Sequence, residues 1–229
     1  MWNGKMKAVT LSYDDGITQD IRLIELLDRY GLRATFNLNP GRQYETDTFV
    51  KSGIVVRHLN MQELPKVYAG HEVAGHTYTH AHLEQLPEDE IRSEISQCRD
   101  QLQQLFGRKL TGMAYPFGTY DDRVVRIAKE EGIRYSRTCI QTEEFAFPND
   151  LLLLTTTCRH ANTMLLDLAR RFAQSKPDTP QLFYLWGHSY EFDEFNNWSL
   201  MEEFCRIISG HDDIYYGTNS ETLLGESQI

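Results

Sequence analysis

An α/β domain spanning residues 1–229, built on a mainly parallel sheet that is open or closed into a barrel, is the fold class the sequence predicts. Three observations lead there. Strand-like and helix-like stretches alternate along the chain, the pattern of parallel strands joined by crossover helices. No internal repeat, low-complexity run or linker divides that alternation. The unusual polar residues fall immediately after strand-like stretches, on the rim where such folds gather their sites.

The elements follow in order. Residues 6–11 form an apolar first strand that runs into Ser12-Tyr13-Asp14-Asp15-Gly16. Ile21, Leu23, Ile24, Leu26 and Leu27 supply the apolar face of a helix reaching Tyr30, and Gly31 occupies its C′ position. Residues 34–38 read as a second strand, ended by Asn39-Pro40-Gly41, and residues 42–60 as an irregular excursion over the mouth. A short helix at 61–69 precedes a short strand at 72–75, which leads into His76-Thr77-Tyr78-Thr79-His80. Pro87 opens a long polar helix to Phe106, with Ile91, Ile95, Cys98, Leu102 and Leu105 as its buried stripe. Residues 110–115 make a strand broken by Pro116-Phe117-Gly118. A helix at 121–131 stops at Gly132, and 134–140 is strand-like. Then come a strand at 151–157, a helix at 163–174 and a buried strand at 181–186 ending in Gly187-His188. A helix at 198–208 and a strand at 214–216 complete the chain.

Composition excludes several classes. The formal charge of −10 and pI near 5.3 argue against a nucleic-acid partner or an anionic membrane surface. No run approaches the ~20 apolar residues that cross a bilayer. Met1-Trp2-Asn3-Gly4-Lys5-Met6-Lys7 lacks the apolar core of a secretory signal, so a cytoplasmic location is expected. Cys98, Cys139, Cys158 and Cys205 form no Cys-x-x-Cys pair, which speaks for free, buried thiols over a zinc ribbon or redox motif. The expected partner is a small-molecule or oligosaccharide substrate, and the oligomeric state stays open.

The strand-end residues define a chemistry. Two adjacent aspartates at the end of an apolar strand are costly unless paired or metal-bound, although Asp-Gly is also common turn chemistry. Gly16 permits a sharp exit that turns Asp14 and Asp15 toward one pocket. His76 and His80 are four apart, a spacing that lets both imidazoles reach one ion from a helical turn. Unrelated surface or capping histidines are the plainer account of that pair. With Asp15 they make the His₂-carboxylate set of a catalytic Zn²⁺ site, which keeps positions open for water and substrate. Asp14 is then free to act as general base, kept ionised by the ion's charge. His188 supplies the complementary general acid; a buried histidine satisfied by hydrogen bonds is the competing account.

These residues resemble the motifs of the polysaccharide deacetylases, the NodB-homology or carbohydrate esterase family-four domain. Ser12-Tyr13-Asp14-Asp15-Gly16 is similar to the family's Thr-Phe-Asp-Asp-Gly, His76-Thr77-Tyr78-Thr79-His80 to its His-Ser/Thr-x-x-His, and Leu185-Trp186-Gly187-His188 to its late Leu-x-His motif. The motifs occur in the family's order. The resemblance implies a distorted (β/α)₇-type barrel and metal-dependent hydrolysis of an N-acetyl or similar amide. It implies Asp14 as base, Asp15, His76 and His80 as metal ligands and His188 as acid. The implied ion is divalent, Zn²⁺ first, with Co²⁺, Mn²⁺ or Ni²⁺ as alternatives.

Two positions depart from the family's pattern. Ala114 stands where the third motif carries the arginine that orients the base. Arg137, in the alternating stretch Tyr135-Ser136-Arg137-Thr138-Cys139, is expected to point at Asp14 in its place, ahead of Arg159. The aspartate that holds the acid histidine has no match near Ser136-Arg137-Thr138, and Glu191 or Asp193 is the expected substitute. Tyr13, Tyr78, Phe117, Tyr120, Trp186, Tyr190 and Trp198 are candidate aromatic walls for a sugar ring. An N-acetylated sugar leads as substrate, a small cyclic amide as in an allantoinase-like enzyme follows, and a non-catalytic sugar- or metal-binding relative is the reading from a different class.

Overall fold

Every residue of the first strand, β1 (Lys7–Asp14), is buried, and the alternation of its side chains shows what it separates. Val9, Leu11 and Tyr13 join one apolar cluster; Ala8 joins another. A strand covered on both faces is what a parallel barrel needs, with one core inside the staves and one beneath the helices. The computed structural model describes residues 2–227, so Met1 and the last two positions of the expected 1–229 domain lie outside the described residues.

After β1 come α1 (Gln19–Arg29), β2 (Thr35–Leu38), a hairpin of β3 (Thr48–Lys51) and β4 (Ile54–Arg57), and α2 (Leu64–Val67). β5 (Glu72–Gly75), α3 (Glu88–Phe106), β6 (Gly112–Ala114), α4 (Asp122–Glu130) and β7 (Tyr135–Gln141) follow. The remainder is β8 (Leu154–Thr156), β9 (Cys158–Arg159), α5 (Leu165–Gln174), β10 (Gln181–Gly187), α6 (Glu191–Glu194), α7 (Trp198–Ile208), β11 (Ile214–Tyr216) and α8 (Asn219–Leu223).

The main sheet is parallel throughout, in the order β8-β7-β6-β5-β2-β1-β10-β9. Thr157 alone separates β8 from β9, and its N–H donates to the Tyr184 carbonyl of β10 at 3.0 Å. Residues 154–159 are therefore one bent stave, bonded to β7 on one side and β10 on the other, and the sheet closes as a distorted (β/α)₇-type barrel. Part of the distortion sits at β1, which pairs with β11 over Lys7 to Val9 and with β2 over Ser12 to Asp14.

Local chemistry explains the helices that matter here. α3 opens on Glu88, Asp89 and Glu90, which favour the positive end of its dipole, and ends at Gly107 in the left-handed conformation. α1 turns Leu23, Ile24, Leu26 and Leu27 inward, and Asp20 with them. α8 closes the barrel floor behind a Thr218–Glu221 capping box. The excursion at 42–60 is more regular than expected, because Thr48 to Lys51 and Ile54 to Arg57 pair as a hairpin. The helix expected at 61–69 shrinks to Leu64–Val67, and α6 and α8 were too short to show a period in the sequence. No helix among the described residues is long and apolar enough to cross a membrane.

Candidate active site

Asp14 is the last inward-facing residue of β1, and the chain leaves the barrel directly after it. The exit is sharper than Gly16 alone provides. Asp15 itself adopts φ +82° and Gly16 φ +68°, a left-handed pair that swings the Asp15 side chain back over the mouth. A left-handed non-glycine residue costs of order 1–3 kcal/mol and persists where its surroundings hold it. Here the Asp15 N–H donates to Asn37 O at 3.0 Å, and Gln43 Nε2 donates to Asp15 O at 2.8 Å. A Cβ on Gly16 would lie 2.8 Å from Leu38 Cδ2 and 2.9 Å from Gln43 Nε2, so a side chain there would displace both, in a backbone conformation that favours glycine.

The histidine pair lies on a loop, which corrects the expected helical turn. Residues 76–80 follow β5 without helical structure, and Thr77 and His80 both take positive φ, 63° and 65°. The loop is held from outside. Asn39 Nδ2 donates to the carbonyls of His76 and Thr77, while Thr79 donates from its N–H and hydroxyl to Glu94 of α3 at 2.8 and 2.7 Å. The two imidazole centroids are 4.7 Å apart, and each Nε2 faces Asp15 Oδ1, at 3.8 Å from His76 and 3.7 Å from His80. His76 Nδ1 sits 2.8 Å from Ala114 O, so it carries the proton and leaves Nε2 as a lone pair.

Arg137 lies against Asp14. Its Nη2 is in direct contact with Asp14 Oδ2, its Nε donates to Ser12 Oγ at 3.3 Å, and its guanidinium stacks 4.5 Å from the Trp186 ring centroid. The sheet register explains the relocation: Arg137 on β7 pairs directly with Ala114 on β6. The cation stands one strand over from the position that Ala114 leaves empty. Asn37 Nδ2 donates to the other oxygen, Asp14 Oδ1, at 2.8 Å. Arg159 turns elsewhere, to Glu191.

Glu191 takes the place beside His188. Its Oε1 is 3.2 Å from His188 Nδ1 and its Oε2 is 2.8 Å from His160 Nε2. His188 Nε2 then points at both aspartates, 3.9 Å from Asp14 Oδ2 and 3.9 Å from Asp15 Oδ2. Asp193 accepts from Trp198 Nε1 at 2.7 Å instead. Of the aromatic candidates, Trp186 and Tyr190 flank His188, and Phe117 lies edge-on to His80 at 4.5 Å, half exposed. The other four wall nothing at the mouth: Tyr13 and Trp198 pack with Phe192 outside the barrel, Tyr120 packs on Tyr115, and Tyr78 pads the backbone of Gly41.

Burial divides the charges. It works to raise the pKa of Asp14, but Arg137, His76 and His188 outweigh it and hold the carboxylate at about 2. Asp15 is pushed up by burial and by Asp14. Burial drives His76 down to about 3, and it lowers His80 and His188 as well. Neutral imidazoles beside an ionised aspartate are the state in which lone pairs are free to ligate.

Three residues escaped the sequence reading. Asn37 occupies an inward position in Thr35-Phe36-Asn37-Leu38, where a polar side chain between apolar neighbours was the available signal. His160 directly follows the bent stave of residues 154–159, the same strand-end placement that marked the other histidines. Asp20 lies on the stripe 20, 23, 24, 27 of α1, and a carboxylate on an apolar helical face was its signal.

The donor set fits a divalent ion. Asp15, His76 and His80 each offer one ligand atom, all within 4.8 Å of one another, and the hydrogen bond from His76 Nδ1 is the outer contact that usually fixes a ligating imidazole. A closed parallel barrel with two imidazoles, one carboxylate and an Arg-paired aspartate at its C-terminal mouth is the class the geometry defines. The chain belongs to the polysaccharide deacetylase family, whose sequence profile matches residues 3–136. Among curated relatives, the putative polysaccharide deacetylase YxkH of Bacillus subtilis is 24% identical over 135 residues, 58% of this chain and 44% of that protein. Peptidoglycan-N-acetylglucosamine deacetylase PgdA of Listeria monocytogenes is 23% identical over 192 residues, 81% of this chain and 37% of that protein. The chain thus spans less than half the length of these relatives. A putative polysaccharide deacetylase from Mycobacterium smegmatis shares the fold at TM-score 0.70 and 17% identity, with 97% of this chain and 90% of that one covered. A family 4 carbohydrate esterase from Streptomyces lividans, in complex with acetate, does so at 0.58 and 17%, covering 93% of each. A family 4 pseudoenzyme from Bacillus anthracis is similar at 0.60 and 18%, covering 95% of this chain and 66% of that one.

Proposed function

We propose that the chain is a metal-dependent amide hydrolase that removes acetyl groups from N-acetylated sugars. The observation that carries the reading is the contact of Arg137 with Asp14 opposite a three-ligand set, because it fills the role left open by Ala114. The pseudoenzyme among the structural neighbours makes the non-catalytic alternative concrete, and the presence of a base, its cation, three ligands and an acid in one mouth favours turnover.

Asp15, His76 and His80 would hold the ion, with Zn²⁺ proposed first and Co²⁺, Mn²⁺ or Ni²⁺ as alternatives. When bound, it polarises the amide carbonyl and lowers the pKa of water. Asp14 accepts the proton that water gives up as it attacks the acetyl carbon. Arg137 and Asn37 aim its two oxygens, so that the base stays ionised at neutral pH. His188, once protonated, delivers a proton to the departing sugar amine from Nε2, while Glu191 on Nδ1 orients the ring and offsets part of the burial that disfavours its imidazolium. Trp186, Tyr190 and Phe117 are placed to receive the acetyl group and the sugar face.

The test is acetate release from N-acetylated chitooligosaccharides by the Zn²⁺-loaded protein, with allantoin assayed in parallel. Turnover of the oligosaccharides that disappears in Asp14→Asn supports the reading. Exclusive turnover of the cyclic amide, or none of either by metal-replete protein, overturns it.

A further inference from the structure

Asp20 is a buried carboxylate that the proposed chemistry leaves unused. It is fully buried on the first turn of α1 and has three donors. Ser189 Oγ donates to Oδ1 at 2.5 Å; Tyr68 OH and the Ile17 N–H donate to Oδ2 at 2.7 and 3.2 Å. The donors come from three different segments. Ile17 is two residues beyond Asp15, in the turn after β1. Ser189 is the residue after His188, in the turn after β10. Tyr68 ends α2 and packs on Phe36 beneath the barrel wall, at 4.7 Å between ring centroids. One oxygen of Asp20 therefore holds the segment that carries a candidate ligand, and the other holds the segment that carries the candidate acid.

We propose that Asp20 is a positioning residue that sets His188 against Asp15, through its hydrogen bonds to Ser189 and Ile17. The two groups it spans are close: His188 Nε2 lies 3.9 Å from Asp15 Oδ2. Each side chain also needs holding. Asp15 leaves its strand in a left-handed conformation that its neighbours must maintain, and His188 has Glu191 on one side only. Asp20 sits behind both turns and adds to the hold that Asn37 and Gln43 have on Asp15 and Glu191 has on His188. A displacement of about 1 Å at such a site can cost roughly 10²-fold in rate. A carboxylate suits the task because it accepts from several donors at once, which neither an apolar nor a singly donating side chain does.

The inference rests on the deacetylase reading for its rate arm and on the Asp15, His76 and His80 set for its binding arm. Three variants separate positioning from mere packing. Ser189→Ala breaks the bond toward His188: kcat on an N-acetylated chitooligosaccharide should fall about tenfold, with KM and Zn²⁺ affinity unchanged. Asp20→Asn disturbs both turns and should lower kcat further while raising the Zn²⁺ dissociation constant about tenfold. Tyr68→Phe removes a donor from the same carboxylate, but one that belongs to neither of the two turns at the mouth. It should lower the melting temperature as much as Ser189→Ala does and leave kcat within about twofold. If kcat tracks melting temperature equally in Ser189→Ala and Tyr68→Phe, Asp20 is structural and the proposal falls. If the wild type turns over no acetylated sugar, the functional reading fails separately, and titration with Zn²⁺ still decides: an unchanged dissociation constant in folded Asp20→Asn overturns the positioning role.

Discussion

The barrel carries a buried carboxylate cluster at each end, and the two are built on opposite principles. At the floor, Glu72 accepts from Tyr135 OH at 2.8 Å, Thr35 Oγ1 at 2.9 Å, the Ser220 N–H at 2.9 Å and the Ser220 hydroxyl. Beside it Asn219 donates to Tyr184 OH and accepts from Thr10 Oγ1, at 2.8 and 2.9 Å. Donors there come from several staves and from α8, and the cluster is sealed. At the mouth, Asp14 and Asp15 stand next to each other, three imidazole nitrogens converge on them at 3.7 to 3.9 Å, and Asp15, Thr77 and His80 are held in strained backbone by hydrogen bonds with Asn37, Asn39, Gln43 and Glu94. Burying polar groups is thus not in itself a mark of function in this chain. The floor satisfies its carboxylate with neutral donors and gains a closed fold; the mouth sets like groups together and leaves their lone pairs aimed at a common point.

The largest expected effect tests whether the mouth divides its labour. Asp14→Asn should lower kcat by about 10²–10⁴-fold with metal content retained, and Asp15→Asn should lose the metal. Elemental analysis alongside rates checks both, and equal loss of metal in the two variants would erase the distinction between base and ligand.

Next is the relocated cation. Arg137→Ala should cut kcat about 10²-fold, since it leaves Asp14 buried and misaimed. Adding Ala114→Arg, one strand over in register, should recover part of that loss. A double variant no better than the single one would mean that β6 and β7 are not interchangeable supports.

The floor should behave in the other way. Glu72→Ala strands the Tyr135, Thr35 and Ser220 donors and should cost about 3 kcal/mol in a denaturant titration, with kcat per folded molecule unchanged. A rate loss beyond the unfolded fraction would connect the two ends.

The smallest effect is in pH dependence, with the metal removed. His76 has its folded pKa depressed to about 3, so the stability it contributes is present above the unfolded value near 6.5 and is lost as pH falls toward 3. Asp20 runs the opposite way. Burial pushes it up to about 7, so its contribution is full below the unfolded carboxylate range and is lost as pH rises toward 7. Asp20→Asn should therefore trail the wild type in stability by more at pH 5 than at pH 8; a constant gap would show that Asp20 does not titrate in that window.

Much of the site could be read from the linear chain because its residues are strand-end residues. An apolar run stopped by Asp14-Asp15, and strands leading into His76 and His188, are local patterns that survive without any contact information. The Arg137 candidate was readable for a similar reason, from the alternating stretch after the Gly132 helix stop, whereas the register that sets it beside Ala114 came only with the pairing of β6 and β7. The spacing of His76 and His80 suits a helical turn, but spacing alone does not distinguish that turn from a loop whose Thr77 and His80 take positive φ. Glu191 and Asp193 were equal candidates in the sequence, and only the packing of α6 against the mouth turned one to His188 and the other to Trp198. Asp20 and Asn37 acquire meaning solely from partners far along the chain, 169 residues away for the Ser189 to Asp20 bond. The sequence by itself determined the alternation of elements and the chemistry offered at each strand end, since both depend on neighbours a few residues apart. Closure of the barrel through Thr157, the floor formed by α8 and the choice of partner for each buried charge were decided by the tertiary structure, because each needs segments that meet only when all the staves are in place.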